Sequence, residues 1–275
     1  MDLRDILLVL QGEPSDQVAA ATAAQLAKGD GAVTGVCVYA TPVAPMATSY
    51  AAGSAAISQI YDDLQREREA MVANAARLFD TAVSQAQVTA VWAPPARDEA
   101  AKATAARART FDLTVVGRPE GSAHPGLIEE LVFSSGSPCL IVPKTSDAAS
   151  SVSRVVVAWN GSREAKHALD AAKPFLRRAD HVEIVTTEGS EQSVTDAQAE
   201  ALLRHLARHD IPAQFLRIGR HEDDVAGALR RHCAMADADL LVMGAYSHSP
   251  RSERLFGGVT QSLLDHASVP ILMAH

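Results

Sequence analysis

Two apolar stretches of this chain occur twice. Asp112-Leu113-Thr114-Val115-Val116-Gly117 returns as Asp239-Leu240-Leu241-Val242-Met243-Gly244, and Pro138-Cys139-Leu140-Ile141 returns as Pro270-Ile271-Leu272-Met273. The segments before them repeat in the same order. Arg154 to Trp159 matches the apolar run Leu3 to Leu10, Asn160-Gly161-Ser162 stands where Gln11-Gly12-Glu13 stood, and Glu164 to Leu176 follows as the Ala-rich Ala19 to Lys28 did. Internal repetition on this scale means that one structural unit has been copied, which restricts the fold more than any single motif.

Each copy alternates short β-branched or apolar runs with segments of helical spacing. In the first copy, strands are expected at Leu3 to Leu10, Ala32 to Tyr39, Val88 to Ala93, Asp112 to Gly117 and Pro138 to Val142. Helices are expected at Ala19 to Lys28, Ile60 to Gln87, Arg97 to Thr110 and Leu127 to Ser134, with Ser15 cap-like ahead of the first. Thr41 to Ser58, rich in Pro, Ala, Ser and Gly, reads as a loop or flap. The second copy predicts strands at Arg154 to Trp159, His181 to Thr187, Ala213 to Ile218, Asp239 to Gly244 and Val269 to Met273. Helices lie between them at Glu164 to Leu176, Thr195 to His209, Glu222 to Ala236 and Val259 to His266. Strict alternation of this kind implies a parallel sheet covered on both faces. With Lys144 to Ser153 as linker, the domains are expected at 1–145 and 153–275.

Composition narrows the function. The formal net charge is −8 with a pI near 5.7, and aromatics are 4% of the 275 residues. A general nucleic-acid binder needs a basic surface and stacking platforms, so that class is set aside. No apolar run approaches the ~20 residues that span a bilayer, and Met1 to Asp5 lacks the start of a signal peptide, so a cytoplasmic protein with no membrane association is expected. Cys37, Cys139 and Cys233 are widely spaced in apolar segments and read as buried thiols.

The two copies differ after the fourth strand. Arg118 to Ser137 is five residues shorter than Ala245 to Val269. The longer segment joins Gly244 to the paired Gly257-Gly258 and a helix start, an arrangement that suits an anion cradle because glycine lets backbone N–H groups approach a phosphate. The same glycines also suit tight turns in a loop that docks the last helix.

On the repeated five-strand pattern, on Val157-Ala158-Trp159-Asn160-Gly161-Ser162 and on the block from Val242-Met243-Gly244 to Ile271-Leu272, the chain resembles the universal stress protein family in its tandem form. That resemblance implies two tandem doubly wound α/β domains, each an open five-stranded parallel sheet with helices on both faces, of the adenine nucleotide alpha hydrolase-like type. It also implies that the last strands pair, Pro138 to Val142 facing Pro270 to Ala274, as an intramolecular pseudo-dimer. Further homodimerisation and an unidentified protein partner are left open.

ATP-binding members of the family carry a Gly, two residues, a Gly, nine residues, then a Gly and a Ser or Thr. Here these positions are Gly244, Ser247, Gly257 and Gly258, so two of the four depart from the pattern. The acidic residue usual at the end of the first strand is Asn160 in the second copy and Gln11 in the first. The resemblance therefore implies a site in the second copy only, for ATP, ADP, AMP or another small anion. Its expected residues are Asn160, Gly161, Gly244, Ser247, His248, Arg254, Gly257, Gly258, Val259 and Thr260. In the first copy Glu129 and Glu130 would repel a phosphate.

Other constellations point to less. His205 and His209 share a predicted helix face without acidic or Cys partners at metal-site spacing, so a solvated face is expected and no metal site is recognised. Asp223-Asp224 and Glu129-Glu130 read as exposed helix residues rather than catalytic pairs. Ser135-Gly136-Ser137 is not a hydrolase elbow, and the chain has neither a P-loop nor a Gly-x-Gly-x-x-Gly fingerprint. The expected function is a stress-response protein whose shape or partner choice follows nucleotide occupancy, with at most slow ATP hydrolysis. The alternative is an interaction protein with both sites degenerate.

Overall fold

The computed structural model of the chain describes residues 3–39, 54–93, 101–118, 126–146, 152–188, 194–219, 224–245 and 258–275. The first half contributes β1 (Asp5–Leu10), α1 (Asp16–Leu26), β2 (Ala32–Cys37), α2 (Ser54–Ala86), β3 (Thr89–Ala93), α3 (Ala101–Ala108), β4 (Leu113–Gly117), α4 (Leu127–Ser134) and β5 (Cys139–Val142). The second half repeats the series as β6 (Arg154–Ala158), α5 (Arg163–Leu176), β7 (His181–Thr187), α6 (Asp196–Ala207), β8 (Gln214–Ile218), α7 (Val225–Met235), β9 (Leu240–Gly244), α8 (Gly258–His266) and β10 (Ile271–Ala274). The alternation expected from the repeat is therefore present in both halves.

All ten strands form one sheet in the order β3-β2-β1-β4-β5-β10-β9-β6-β7-β8. Pairing is parallel within each half. At the middle β5 and β10 run antiparallel, with Ile141 opposite Ile271, Leu140 opposite Leu272 and Cys139 opposite Met273. The pairing expected between the two Pro-led strands is thus present. Central strands read as unbroken apolar runs because both their faces are covered; β1, β4, β5 and β10 are buried along nearly their whole length. The outer strands β3 and β8 are half-exposed and mixed in composition. Two cores follow, one on each face. The first sets α1, α2, α5 and α6 against residues such as Ile6, Leu8, Val155 and Val157; the second sets α3, α4, α7 and α8 against Leu7, Val9, Val156 and Leu241.

The repeated aspartate of the Asp-Leu pattern has a local cause. One carboxylate oxygen of Asp112 accepts from the backbone N–H groups of Arg4 and Asp5, and one of Asp239 accepts in the same way from Ser153 and Arg154. Each aspartate ties the start of its half's first strand to the start of the fourth. The helices begin where capping groups stop the preceding loop: Ser162 Oγ accepts from Ala165, Thr195 and Gln198 form a capping box, and Asp224 accepts from Gly227.

Three sequence expectations shift. Ser15 does not cap α1: its own backbone is helical and its hydroxyl donates instead to the Arg118 carbonyl. The helix after the flap starts at Ser54, inside the segment read as loop, and runs to Ala86; residues 41–53 of that segment lie outside the described residues. Glu129 and Glu130 are half-buried rather than exposed, while Asp224 is exposed as expected and caps α7.

Candidate functional site

In each half the strand order reverses between the first and fourth strands, β1 and β4 or β6 and β9, and in sheets of this kind the ligand crevice lies at such a reversal, at the carboxyl ends of the strands. The turn leaving the first strand forms its floor. The two halves treat that turn in opposite ways.

In the first half the chain closes its own crevice. The backbone N–H groups of Gln11, Gly12 and Glu13 all donate to Asp16 Oδ2, at 2.9, 2.7 and 3.2 Å. Asp16 is 1% exposed, and its second oxygen is buried without a hydrogen-bond partner among the described residues. Burial pushes this carboxyl up to about 6, and the three backbone bonds offset only part of that rise. Gln11 is buried as well and donates through Nε2 to the Gly117 carbonyl at 2.9 Å. Above the turn lies Met71 of α2. A side-chain carbon on Gly12, whose φ is +79°, would stand 2.8 Å from Met71 Cγ and 3.0 Å from its sulfur. One turn earlier in the helix, the Arg68 guanidinium lies 5.0 Å above the Tyr39 ring centre.

In the second half the same turn is open. Ala165 takes the place of Asp16, so no carboxylate gathers the amides. Asn160 Oδ1 accepts from the Ser162 N–H at 3.0 Å, which organises the turn, while the N–H groups of Asn160 and Gly161 have no partner among the described residues. Gly161 has φ +77°, and nothing lies within 4 Å of where its side chain would be. Two adjacent N–H groups with the second residue in the left-handed region form a concavity suited to an anion. Just inside the turn, Glu164 is 9% exposed with Arg163 Nε at 2.8 Å. Burial pushes the Glu164 carboxyl up, but its own backbone N–H, Arg163 and His275 outweigh that effect and leave it below the ordinary value. At the far side of the crevice, α8 starts at Gly258, which is exposed with open space around it.

Residues 151–275 match the model of the Universal stress protein family. A universal stress protein of Synechocystis, Slr1230, is 26% identical over 172 residues, which are 59% of this chain and 57% of that protein. The second half of the chain is therefore similar to the Universal stress protein family. The chain thus spans just over half the length of that curated relative. For the fold, a universal stress protein from Archaeoglobus fulgidus superposes over 100% of this chain and 99% of its own with a TM-score of 0.70 at 14% identity. A protein of unknown function from Pseudomonas aeruginosa, PA1789, covers 99% of this chain and 92% of its own with a TM-score of 0.52 at 14% identity.

Of the residues expected in the cradle, Asn160 and Gly161 form the open turn, and Gly244 ends β9 against the first turn of α5. Gly258 begins α8, Val259 is half-buried, and Thr260 is buried at 2% exposure and packs inward. Ser247, His248, Arg254 and Gly257 lie outside the described residues. Asp16 and Met71, which set the two halves apart, escaped the sequence reading because nothing local marks a carboxylate that bonds backward or a methionine 59 residues away in the chain from Gly12.

Elsewhere, a concavity of about 230 Å³ lies at the amino ends of β6, β7 and β8, remote from the crevice, lined by Arg154, Asp180, His181, Glu183 and Gln214. Its principal charged groups already have partners: Asp180 accepts from Ser153, Glu183 lies 2.7 Å from His232 Nε2, and Arg154 donates to the Ala236 carbonyl. His205 and His209 stack edge-on with ring centres 4.7 Å apart; contrary to the solvated face expected, His205 is half-buried and its Nε2 is buried without a hydrogen-bond partner among the described residues. Among the described residues no group of three or more His, Cys, Asp or Glu side chains is placed to hold a metal ion. No described helix is long and apolar enough to cross a membrane.

Proposed function

We propose that this chain is a tandem universal stress protein, a cytoplasmic stress-response protein that binds an adenine nucleotide or a related phosphate ligand in its second half and acts through ligand-dependent interaction rather than turnover. The observation that carries the reading is the contrast between the two turns. Among the described residues the N–H groups of Asn160 and Gly161 have no partner and open space surrounds Gly161, whereas the corresponding groups of the first half are taken by Asp16 and covered by Met71. The amide of Asn160 offers both a donor and an acceptor to a base or ribose, and the start of α8 offers N–H groups and a favourable dipole to phosphate.

The experiment is calorimetric titration of the full chain with ATP, ADP, AMP and inorganic phosphate, beside mass spectrometry of the denatured protein for a carried nucleotide. Binding that is lost in Gly257→Val supports the site. No binding of any nucleotide at millimolar concentration rejects it.

A second reading is an interaction protein without ligand. It is favoured by α2, whose 33 residues far exceed the 12 of its counterpart α6 and which leaves Ile60 and Tyr61 exposed at 39% and 54%.

A further inference from the structure

The residue that follows Gly117 is committed to the other half of the molecule. Arg118 Nη1 donates to the carbonyl oxygens of Leu264, Asp265 and Ala267 at 3.1, 3.0 and 3.2 Å, which are the unsatisfied carbonyls at the carboxyl end of α8. A cation there also complements the negative end of the helix dipole. The Arg118 backbone is itself fixed on both sides. Its N–H donates to Val142 of β5 at 2.7 Å, and its carbonyl accepts from Ser15 Oγ at 2.8 Å. The guanidinium therefore reaches α8 from a rigid base at the end of β4.

This contact has leverage because α8 is short. At nine residues it is below the length at which a helix holds itself together in water, so its position depends on what grips it. Leu263 and Leu264 enter the second core, and Arg230 of α7 donates to the carbonyl and hydroxyl of Ser262 at 3.1 and 3.2 Å. Among the described residues, Arg118 supplies the grip on its carboxyl end that comes from the first half. The arrangement is one-sided. Ala245, the counterpart of Arg118, has no side chain to reach across; its carbonyl accepts from His275 Nδ1 at 3.1 Å, and the His275 ring instead meets Phe133 of α4 edge-on at 4.9 Å.

We infer that Arg118, a residue of the first half, is a positioning residue for the ligand site of the second half, holding α8 in place through the three carbonyls at its carboxyl end. The inference rests on the reading that the amino end of α8 meets the ligand. It assigns the first half a role that needs no ligand of its own: the strand end that would open its cradle serves as a clasp for its neighbour.

The test uses the full chain as wild type, Arg118→Ala and Arg118→Lys, each checked for folding by circular dichroism. Hydrogen exchange without ligand reads the clasp, and calorimetry with ATP reads the site. Arg118→Ala is expected to speed exchange of the α8 amides about tenfold or more and to weaken ATP binding several-fold, with Arg118→Lys, which keeps a cation and three donors, restoring part of both. Unchanged exchange in α8 overturns the inference, as does faster exchange with undiminished ATP affinity. Failure of the wild type to bind any nucleotide rejects the reading of the previous subsection instead, and the exchange comparison then upholds or overturns the clasp by itself.

Discussion

A side-chain carbon on Gly244 would stand 2.5 Å from the backbone nitrogen of Ala165 and equally close to the carbonyl carbon of Glu164. The end of β9 and the first turn of α5 touch backbone to backbone, and only glycine permits it. Gly117 occupies the same place in the first half, where the atoms met belong to Ser15, chiefly its hydroxyl. The shared glycine is therefore needed for packing whether or not a ligand is bound. Gly244→Ala is expected to destabilise the fold by about 1–3 kcal/mol, because the main chain of α5 must move. Gly117→Ala should cost less when combined with Ser15→Gly, a double replacement that has no counterpart at Gly244. Urea denaturation of the wild type and the three variants checks this, and equal stability of Gly244→Ala and wild type refutes it.

Asp16 makes stability depend on pH in an unusual direction. Its folded-state value of about 6 lies above the ordinary 3.8, so the folded state holds the proton more tightly than the unfolded chain. The associated stability is complete below about 4 and is lost as pH rises through 6. Relative to Asp16→Asn, the wild type should lose on the order of 2–3 kcal/mol between those limits and then run parallel above pH 7. A difference that stays flat from pH 4 to 7 in urea midpoints contradicts the assignment.

His205 behaves in the opposite sense. Burial lowers it first, followed by Lys173, His209 and Lys166, with Asp170 opposing. The unfolded imidazole takes up its proton near 6.5 while the folded one resists, so its contribution is present above that pH and fades as pH falls. An NMR titration should place His205 below the ordinary value, and Lys173→Met should move it upward. No movement in that variant would remove Lys173 from the account.

The three thiols should be silent in the folded protein. All are buried, and burial pushes Cys37, Cys139 and Cys233 up to about 12, with Asp16 and Glu183 adding to the rise at the first and last. Labelling with a maleimide is expected to be negligible at pH 8 until denaturant is added. Prompt labelling of a single cysteine in the native protein would show that its site opens.

Much of the architecture was legible in the sequence because it is written locally and written twice. The Asp-Leu-x-Val pattern marks both β4 and β9 and the Pro-led runs mark β5 and β10, while the pairing of those last strands, found as the antiparallel seam of Ile141 with Ile271, was implied by the family resemblance. What escaped notice depends on contacts between distant residues or on the direction of a side chain. Ser15 has the composition of a cap, yet its hydroxyl reaches Arg118, and the neighbouring Asp16 bonds back to the turn before it. Met71 above Gly12 and Arg118 at Ala267 join positions that no spacing rule connects. The start of α2 was misplaced because Ser54 to Ser58 has Ile57 as its one large residue among Ser and Ala, too little for a helical period to show.

The antiparallel seam between β5 and β10 also bears on how such a molecule can change over time. When two identical chains meet across such a seam, every substitution appears on both sides at once and must suit both. A single chain that carries both sides is free of that restriction. Arg118 can face α8 without an arginine at Ala245 facing α4, and Asp16 can fill one turn while Ala165 leaves the other open. Covalent linkage also keeps the two halves at fixed stoichiometry at any dilution. The structural differences between them are thus inherited with the chain and are independent of assembly.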